Sequence, residues 1–248
     1  MSYALETKGL KRQFGAFLAT NDVNLQVKQG ARHALIGPNG AGKTTLINLL
    51  TGVLAPSAGR IILNGEDITE TPPHQRVQKG VTRTFQINRL FNDFTPLESI
   101  TLAIGERDGI GGNLWRPLSS YKPAIDEAAA LLERFGLASV MGERTAILPY
   151  GKQRLLEIAI AFASGPKVLL LDEPAAGVPE DERHEVLSIV SALPADVTVV
   201  LIEHDMDLVF SFADHISVLV AGAIFAEGSV QEIAGDPRVK AVYLGESA

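Results

Sequence analysis

Short apolar runs alternate with longer amphipathic stretches along most of the chain. The clearest runs lie at 34–36, 168–171, 197–202 and 216–220 and are rich in Val, Ile and Leu. Runs of this length and composition predict buried strands, and the stretches between them predict helices. Alternation of this kind is typical of a parallel sheet with helices packed on its faces. We therefore predict an α/β fold.

Several predicted helices have recognisable ends. A helix at 43–51 stops before Gly52, and Thr95 with Glu98 forms a capping box that has Pro96 at the first helical position. A second box, Ser229 with Glu232, opens a late helix. The region from about 90 to 164 is mostly helical in pattern, with a glycine-rich break at 109–112 and predicted turns at 117 and 123. This predicts a helical insertion in the α/β core.

Composition fits an ordinary globular protein and excludes several classes. Of 248 residues, 46% are hydrophobic, 23 are Gly, 13 are Pro and none is Cys, which excludes collagen-like chains, disulfide frameworks and thiolate zinc sites. The net charge of −7 argues against a protein that wraps nucleic acid. The first 20 residues lack a signal-peptide pattern and no apolar run approaches a membrane span, so we expect a cytoplasmic chain whose membrane role is peripheral.

One motif carries phosphate chemistry on its own. Residues 37–44 match G-x-x-x-x-G-K-[ST] and lie between a predicted strand and a predicted helix, as a phosphate-binding loop requires. Backbone N–H groups and the helix N-terminus would hold phosphate oxygens, Lys43 would reach the terminal phosphates, and the Thr44 hydroxyl could bind Mg²⁺. Thr45 is a further candidate donor. The nucleotide-binding candidates are Gly37, Pro38, Asn39, Gly40, Ala41, Gly42, Lys43, Thr44 and Thr45.

Two adjacent carboxylates, Asp172 and Glu173, follow the apolar run 168–171. Alternation along a strand would point them to different sides, so they could serve different roles. Beside a phosphate loop the first could hold Mg²⁺ and the second could activate a water. His204 and Gln86 also follow apolar runs, but their spacing alone does not single them out.

Taken in order, these motifs resemble the ATP-binding subunit of ABC transporters over essentially the whole chain. The resemblance implies a P-loop NTPase (RecA-like) core with an N-terminal antiparallel β subdomain and an inserted helical subdomain. The implied boundaries are 1–90 with 165–248 for the core and 91–164 for the helical part. A signature-like segment completes the set: Leu148, Pro149, Tyr150, Gly151, Lys152 and Gln153.

The resemblance also implies roles for single residues. Phe14 would stack on adenine, Gln86 would contact Mg²⁺ and the attacking water, and Glu173 would be the general base. His204 would contact the γ-phosphate, and Thr44 and Asp172 would complete the Mg²⁺ contacts. Because the family dimerises head to tail, the signature of one chain would close over the ATP of its partner, with the N-terminus of a helix at 152–163 facing a phosphate.

Within the family, the chain is most similar to the first of the two ATPases of branched-chain and hydrophobic amino-acid uptake systems. The segments that carry this likeness lie at 80–86, 89–91, 150–151, 173–177, 236–237 and 241–245. The implied partners are a second ATPase, identical or related, two permease subunits and, indirectly, a solute-binding protein. A segment at about 89–102 would receive the permease. Urea, amides, aromatic acids and lipids remain open as cargo.

Two positions depart from the family pattern, and both fall on the implied dimer face. Pro149 replaces the usual signature serine, which removes a hydroxyl and supplies no N–H in its place. Pro179 stands where an Asp or Asn usually opens the helix after Asp172 and Glu173. We expect intact ATP binding with altered contacts across the dimer and slower hydrolysis.

Other functions fit the motifs less well. A soluble ABC ATPase of DNA repair or translation would carry a long coiled coil or two ATPase units, and a P-loop kinase would need an acceptor-binding lid. An ATP-binding regulator without hydrolysis conflicts with the intact Glu173. Charge is also uneven, since residues 1–90 carry 11 basic and 5 acidic side chains, whereas the remainder carries 11 and 24. The positive part contains the predicted nucleotide site.

Overall fold

The structure is a computed structural model that describes residues 2–84, 90–110 and 121–244. Its strands are β1 (Tyr3–Phe14), β2 (Phe17–Val23), β3 (Gln26–Lys28), β4 (Arg32–Ile36), β5 (Ala58–Leu63), β6 (Glu66–Asp67), β7 (Val81–Arg83), β8 (Val168–Asp172), β9 (Thr198–Ile202), β10 (His215–Val220) and β11 (Ala223–Gly228). Its helices are α1 (Lys43–Leu50), α2 (Pro73–Lys79), α3 (Pro96–Arg107), α4 (Lys122–Arg134), α5 (Tyr150–Ala163), α6 (Glu180–Ser191), α7 (Met206–Phe212), α8 (Val230–Gly235) and α9 (Pro237–Leu244).

Two sheets organise the described residues. The first is antiparallel, with strand order β2-β1-β5-β6 and with β3 also paired to β1. The second has the order β11-β10-β4-β9-β8-β7, in which every pairing is parallel except that of β10 with β11. The predicted α/β class and the antiparallel N-terminal subdomain are confirmed. β4 lies in the interior of the second sheet, so the loop that follows it starts from a rigid support.

Alternation along β8 divides the core between the two faces of the parallel sheet. Leu169 and Leu171 pack into an apolar cluster with residues of α3, α4, α5 and α6. Val168 and Leu170 face the other way and pack with α1 and the antiparallel sheet. Side chains with a period of two therefore join the helical segment to one face of the sheet and the N-terminal sheet to the other.

Local sequence signals explain several helix ends. In α3 the Glu98 amide donates to the Thr95 hydroxyl at 3.2 Å, and the Glu98 carboxylate accepts from the Thr95 amide at 2.8 Å. Ser229 and Glu232 form the same box at the start of α8. Both predicted capping boxes are confirmed. The turn predicted at Pro123 is wrong, because this proline lies in the first turn of α4, where its missing N–H costs no helix bond.

A buried arginine joins α1 to α2. Arg76 is 1% exposed, and its guanidinium donates to the carbonyls of Leu49 and Leu50 at the end of α1, at 2.7 and 2.8 Å. It also donates to the carbonyls of Thr69 and Thr71 at 2.7 and 2.8 Å. The last carbonyls of a helix have no partner within the helix. Arg76 therefore caps the C-terminal end of α1, the helix that begins at the phosphate loop.

Candidate functional site

The phosphate-loop motif lies between β4 and α1, as predicted. Gly42 is the N-cap of α1 and has φ +101°, which L side chains rarely adopt. A Cβ at this position would lie 2.5 Å from the carbonyl oxygen of Ala19 in β2. Both the backbone angle and the close approach of β2 therefore require glycine here. The N-terminal amides of α1 consequently open directly onto the loop.

Lys43 is held by the loop itself. Its Nζ donates to the carbonyl oxygens of Gly37 at 2.6 Å and Pro38 at 3.1 Å. Burial lowers the pKa of the Lys43 ammonium, while the charges of Glu173 and Asp172 act in the opposite direction and raise it. The structure brings the phosphate loop and the end of β8 to one place.

Asp172 is buried at the end of β8 and paired with an arginine. Its side chain is 5% exposed, and its Oδ2 lies 2.6 Å from Nη2 of Arg83 in β7. The same guanidinium donates through Nη1 to Oδ1 of Asn48 in α1, at 2.6 Å. Arg83 therefore links the Asp172 carboxylate to α1, the helix that follows the phosphate loop. Sequence reasoning missed this role, because 89 positions separate Arg83 from Asp172 and no local pattern pairs them.

Glu173 lies beyond the strand and not within it. β8 ends at Asp172, and Glu173 has φ +47°, in the left-handed region. The expectation that strand alternation separates the two carboxylates is therefore wrong. A left-handed turn separates them, and the Glu173 amide donates to the carbonyl of Ile202 in β9 at 2.9 Å. The turn leaves the Glu173 side chain 25% exposed, whereas that of Asp172 is buried.

His204 lies between two carboxylates. Its Nδ1 is 3.7 Å from Oε1 of Glu173 and 3.6 Å from Oε2 of Glu203, and its side chain is 64% exposed. Glu203 is buried and accepts from the amides of His204 at 3.1 Å and Ala175 at 3.3 Å. Burial raises the pKa of the Glu203 carboxyl, against the lowering effect of these hydrogen bonds. Glu203 was not predicted as a site residue, since a glutamate ending an apolar strand looks like an ordinary surface residue.

The signature-like segment lies against α6 and the turn before it. Helix α5 begins at Tyr150 with Pro149 as N-cap, two residues earlier than predicted. The Tyr150 ring lies against Gly177, and the Glu182 carboxylate lies directly over Gly151. Leu148 is buried, Gln153 Nε2 donates back to its carbonyl at 2.9 Å, and Lys152 is 3.4 Å from Glu185.

The two residues that depart from the family pattern, Pro149 and Pro179, both lie immediately before a helix. Pro149 is the N-cap of α5 and Pro179 is the N-cap of α6, and neither helix start has a side-chain cap hydrogen bond. Serine and aspartate or asparagine at these positions could have supplied one. In α6 the residues Glu180, Asp181 and Glu182 form the first turn instead, which suits the positive end of a helix.

Of the two remaining predicted site residues, Phe14 lies within the described part of the chain. Phe14 ends β1 with its ring 43% exposed, and the Arg12 guanidinium lies 4.6 Å from the ring centroid. The predicted role of Phe14 needs such an exposed ring. Gln86 lies outside the described residues, as does Arg89.

A groove of about 500 Å³ lies between the α2–β7 region and the helices α3 and α5. Its lining includes Val53, Val77, Phe91 and Ile160. Phe91 is 59% exposed, and its ring centroid is 5.1 Å from that of Phe94. Exposed aromatic and aliphatic side chains in one concave surface are typical of a binding site.

The donor chemistry near the loop suits magnesium. Thr44 offers a hydroxyl and Asp172 a carboxylate, and Mg²⁺ is commonly bound by one or two such groups together with substrate phosphates and water. Within 2–84, 90–110 and 121–244, no group of three or more His, Cys, Asp or Glu side chains forms a separate metal cage. The residues present therefore fit a magnesium ion carried with a nucleotide.

These features together define an ATP-binding cassette. They are a phosphate loop after an interior parallel strand, a buried Asp followed by Glu, and a signature-like segment at the start of a helix. The family model described as ABC transporter matches residues 20–176. The chain belongs to the ABC transporter family. A second family model, described as branched-chain amino acid ATP-binding cassette transporter, matches residues 223–248.

The curated proteins most similar in sequence include ATP-binding proteins of branched-chain amino acid transport. The chain is 42% identical to the high-affinity branched-chain amino acid transport ATP-binding protein BraF of Pseudomonas aeruginosa. It is 40% identical to the corresponding protein LivG of Escherichia coli K12. Each match covers 98% of this chain and 98% of the relative. These relatives confirm the predicted resemblance to ATP-binding subunits of branched-chain amino-acid systems.

Solved structures agree with the fold. A nucleotide-free ATP-binding cassette of an ABC transporter is 32% identical with a TM-score of 0.85, over 98% of this chain and 99% of that one. The ADP conformation of a transporter cassette is 33% identical with a TM-score of 0.86, over 99% and 100%. The predicted ABC ATPase fold is confirmed. In the part of the chain that the structure describes, no helix combines the length and apolarity of a bilayer span.

Proposed function

We propose that this chain is a magnesium-dependent ATPase that powers an importer of branched-chain amino acids as one member of a head-to-tail dimer. One observation carries the catalytic part of the proposal. Arg83 joins Asp172, at the end of β8, to Asn48 of α1, the helix that begins at the phosphate loop, through two contacts of 2.6 Å. A phosphate bound by the loop would therefore meet a cation and two carboxylates of different exposure.

Nucleotide binding follows from the loop and its neighbours. The N–H groups of 37–45 and the start of α1 would hold the phosphates. Lys43 would exchange its two carbonyl acceptors for phosphate oxygens, while the Thr45 hydroxyl would add a donor. The exposed face of the Phe14 ring would stack on adenine, with Arg12 on its other side.

Hydrolysis would use Glu173 as the general base. Its carboxylate is partly exposed and close to His204, so it can accept a proton from a water that attacks the γ-phosphate. His204 would donate to the γ-phosphate. Gln86 would help to orient the water.

Thr44 and Asp172 would hold Mg²⁺, with Gln86 as a further contact. When bound, this ion would neutralise charge on the phosphate oxygens. Arg83 keeps the Asp172 carboxylate fixed through a 2.6 Å ion pair. Replacing Arg83 by Met should therefore weaken hydrolysis by changing where Asp172 points.

The decisive test of catalysis is Glu173→Gln. Loss of the base should lower the hydrolysis rate by about 10²-fold or more while leaving ATP binding intact, and an ATP-loaded dimer should accumulate on size-exclusion chromatography. Glu133→Gln, on the exposed side of α4, is the matched control and should behave as wild type. Undiminished phosphate release by Glu173→Gln would show that Glu173 is not the base.

The signature segment would act on the nucleotide of the partner chain. Pro149 and Pro179 lie at the starts of α5 and α6 and supply no cap hydroxyl or carboxylate. We expect slower hydrolysis than a serine and an asparagine would allow. The double change Pro149→Ser with Pro179→Asn should raise kcat, and an unchanged turnover would contradict this part of the proposal.

Permease subunits would dock in the groove that contains Phe91. Since the chain has no cysteine, Phe91→Cys creates a single reactive thiol in that groove. In the assembled transporter this thiol should crosslink to a permease, whereas Glu133→Cys on the exposed side of α4 should not. Failure of Phe91→Cys and Phe94→Cys to crosslink in an assembled complex would place the docking surface elsewhere.

The cargo assignment rests on the names of the relatives and on the match of 223–248. Selectivity would lie in a separate permease and solute-binding protein, and this chain would work at the inner face of the membrane. Uptake of labelled leucine should fall in cells that lack the gene for this chain. It should return when the wild-type chain is expressed, but not when Glu173→Gln is expressed. If uptake of urea or an aromatic acid fell and leucine uptake did not, another cargo would be assigned.

A further inference from the structure

A buried arginine of α5 binds the backbone that carries the proposed catalytic carboxylate. Arg154 is 3% exposed. Its Nη2 donates to the carbonyls of Asp172 and Glu173, both at 2.9 Å, and its Nε donates to the carbonyl of Pro174 at 3.0 Å. One guanidinium therefore binds three successive carbonyl oxygens. Its Nη1 donates to the Glu157 carboxylate at 2.6 Å, which balances the charge.

The backbone at Glu173 needs such support. A glutamate at φ +47° is in a conformation that costs energy for any residue with a Cβ. The turn is also bound from β9 and the residue after it, because the Glu173 amide donates to the carbonyl of Ile202 and the Ala175 amide donates to the carboxylate of Glu203. Contacts from α5 on one side and β9 on the other therefore fix the direction in which the carboxylate leaves the backbone.

Arg154 lies one helical turn from the signature glycine of α5. Arg154 follows Gly151 by three residues, so the two lie about one helical turn apart on the same side of α5. The first turn of α5 is the segment that would face the partner's nucleotide. A rigid turn of helix thus separates the proposed trans contact from the carbonyls of the Glu173 turn.

Arginine has the required shape. The planar guanidinium presents its donors in a fixed fork, which can span adjacent acceptors at one time. A lysine in the same place would keep the charge beside Glu157 but offers one compact ammonium. It could not hold three carbonyls in the same arrangement.

We infer that Arg154 is a positioning residue that couples the signature end of α5 to the orientation of Glu173, so that engagement of one nucleotide site sets the catalytic carboxylate of the other. The inference rests on the proposed function, in which Glu173 is the base and the signature acts in trans. Arg154 would thereby connect, within one chain, the segment that contacts the partner's nucleotide to the base that acts on the chain's own nucleotide.

A double-mutant cycle tests it, with Arg154→Met and Arg154→Lys made in wild type and in Glu173→Gln. If Arg154 acts through Glu173, each variant should lower kcat about tenfold or more in wild type, with KM and the ATP Kd changed less than about threefold. In Glu173→Gln the same changes should lower the residual kcat less than about twofold. Equal losses in both backgrounds would overturn the inference, as would full activity of Arg154→Lys.

A matched control separates positioning from general stability. Arg107→Met removes another arginine of the helical segment, which pairs with Glu127 and donates to the Ala163 carbonyl at the far end of α5. It should leave kcat unchanged.

If Arg154→Met does not fold, the kcat of Arg154→Lys tests the inference. If Glu173→Gln itself keeps full turnover, the proposed base is wrong, whereas an impaired Glu173→Gln with a fully active Arg154→Met rejects this inference alone.

Discussion

The buried histidine of β4 should make the protein sensitive to mild acid. His33 is 1% exposed, and its Nε2 lies 2.8 Å from the Ser217 hydroxyl in β10. That hydroxyl donates its only proton to Glu227 in β11 at 2.6 Å, so it accepts from His33, which fixes the neutral ring with its proton on Nε2. Burial, with a smaller contribution from His215, lowers the pKa of His33 to about 3.

The sign and size of the effect follow from this shift. In the unfolded chain the pKa of His33 is 6.5, so that state gains a proton as the pH falls below this value, while the native state stays neutral until about 3. Stability is therefore present above 6.5 and is lost as the pH falls towards 3. One pKa unit corresponds to about 1.4 kcal/mol, so the loss at about pH 5 is about 2 kcal/mol.

Urea unfolding at about pH 7.5 and about pH 5 measures this loss. The variant His33→Gln keeps a donor towards Ser217 but cannot titrate, so its unfolding free energy should fall by about 2 kcal/mol less than that of wild type over this interval. The exposed His184 of α6 provides the control His184→Gln, which should keep the wild-type dependence. An equal fall in wild type and His33→Gln would refute the reasoning.

Three further predictions concern the stability of the fold. Arg76→Met removes four hydrogen bonds to backbone carbonyls and should cost about 3 kcal/mol or more in urea unfolding. Lys79→Met breaks an exposed ion pair and should cost less than about 1 kcal/mol. Thr95→Ala removes a helix cap and should cost about 1 kcal/mol by the same measurement. Gly42→Ala should lower the melting temperature more than Gly40→Ala, because only at the former would the new Cβ meet the backbone of β2; equal shifts would contradict this.

Local signals in the sequence predicted the parts of the fold that depend on neighbours along the chain. The parallel strands β4, β8 and β9 are buried throughout, and each contains a short apolar run. The capping boxes of α3 and α8 need only four residues each. The phosphate loop also carries its own signal, because glycines at positive φ and a lysine at the helix start occur in one short stretch. These elements were therefore predicted from the residues alone.

The antiparallel sheet was predicted only through the family resemblance. In β1 the register against β2 and β5 shifts at several points, and Gly9 has φ +59° within the strand. Such bulges break the alternation of polar and apolar positions that identifies a strand in a sequence. The order of strands in a sheet also depends on pairings between distant segments, which periodicity does not encode.

In the site, too, contacts between distant parts of the chain could not be predicted from local sequence. Arg154 and Arg83 would be assigned to the surface from their charge, since arginine is seldom buried without partners. Their partners are backbone carbonyls and a carboxylate far away in the chain, so only the folded structure assigns them a role. The strand-to-turn change at Glu173 was also missed, because it follows from hydrogen bonds to β9 and α5 and not from residue type.

The left-handed backbone of Glu173 has a consequence for how this protein can be stabilised. A non-glycine residue at positive φ costs about 1 kcal/mol or more, and asparagine tolerates that region better than glutamate does. Glu173→Asn should therefore resist urea better than Glu173→Gln, although neither keeps the proposed base. At this position a search for thermostable variants would favour inactive ones, so activity and stability make opposite demands on the same residue.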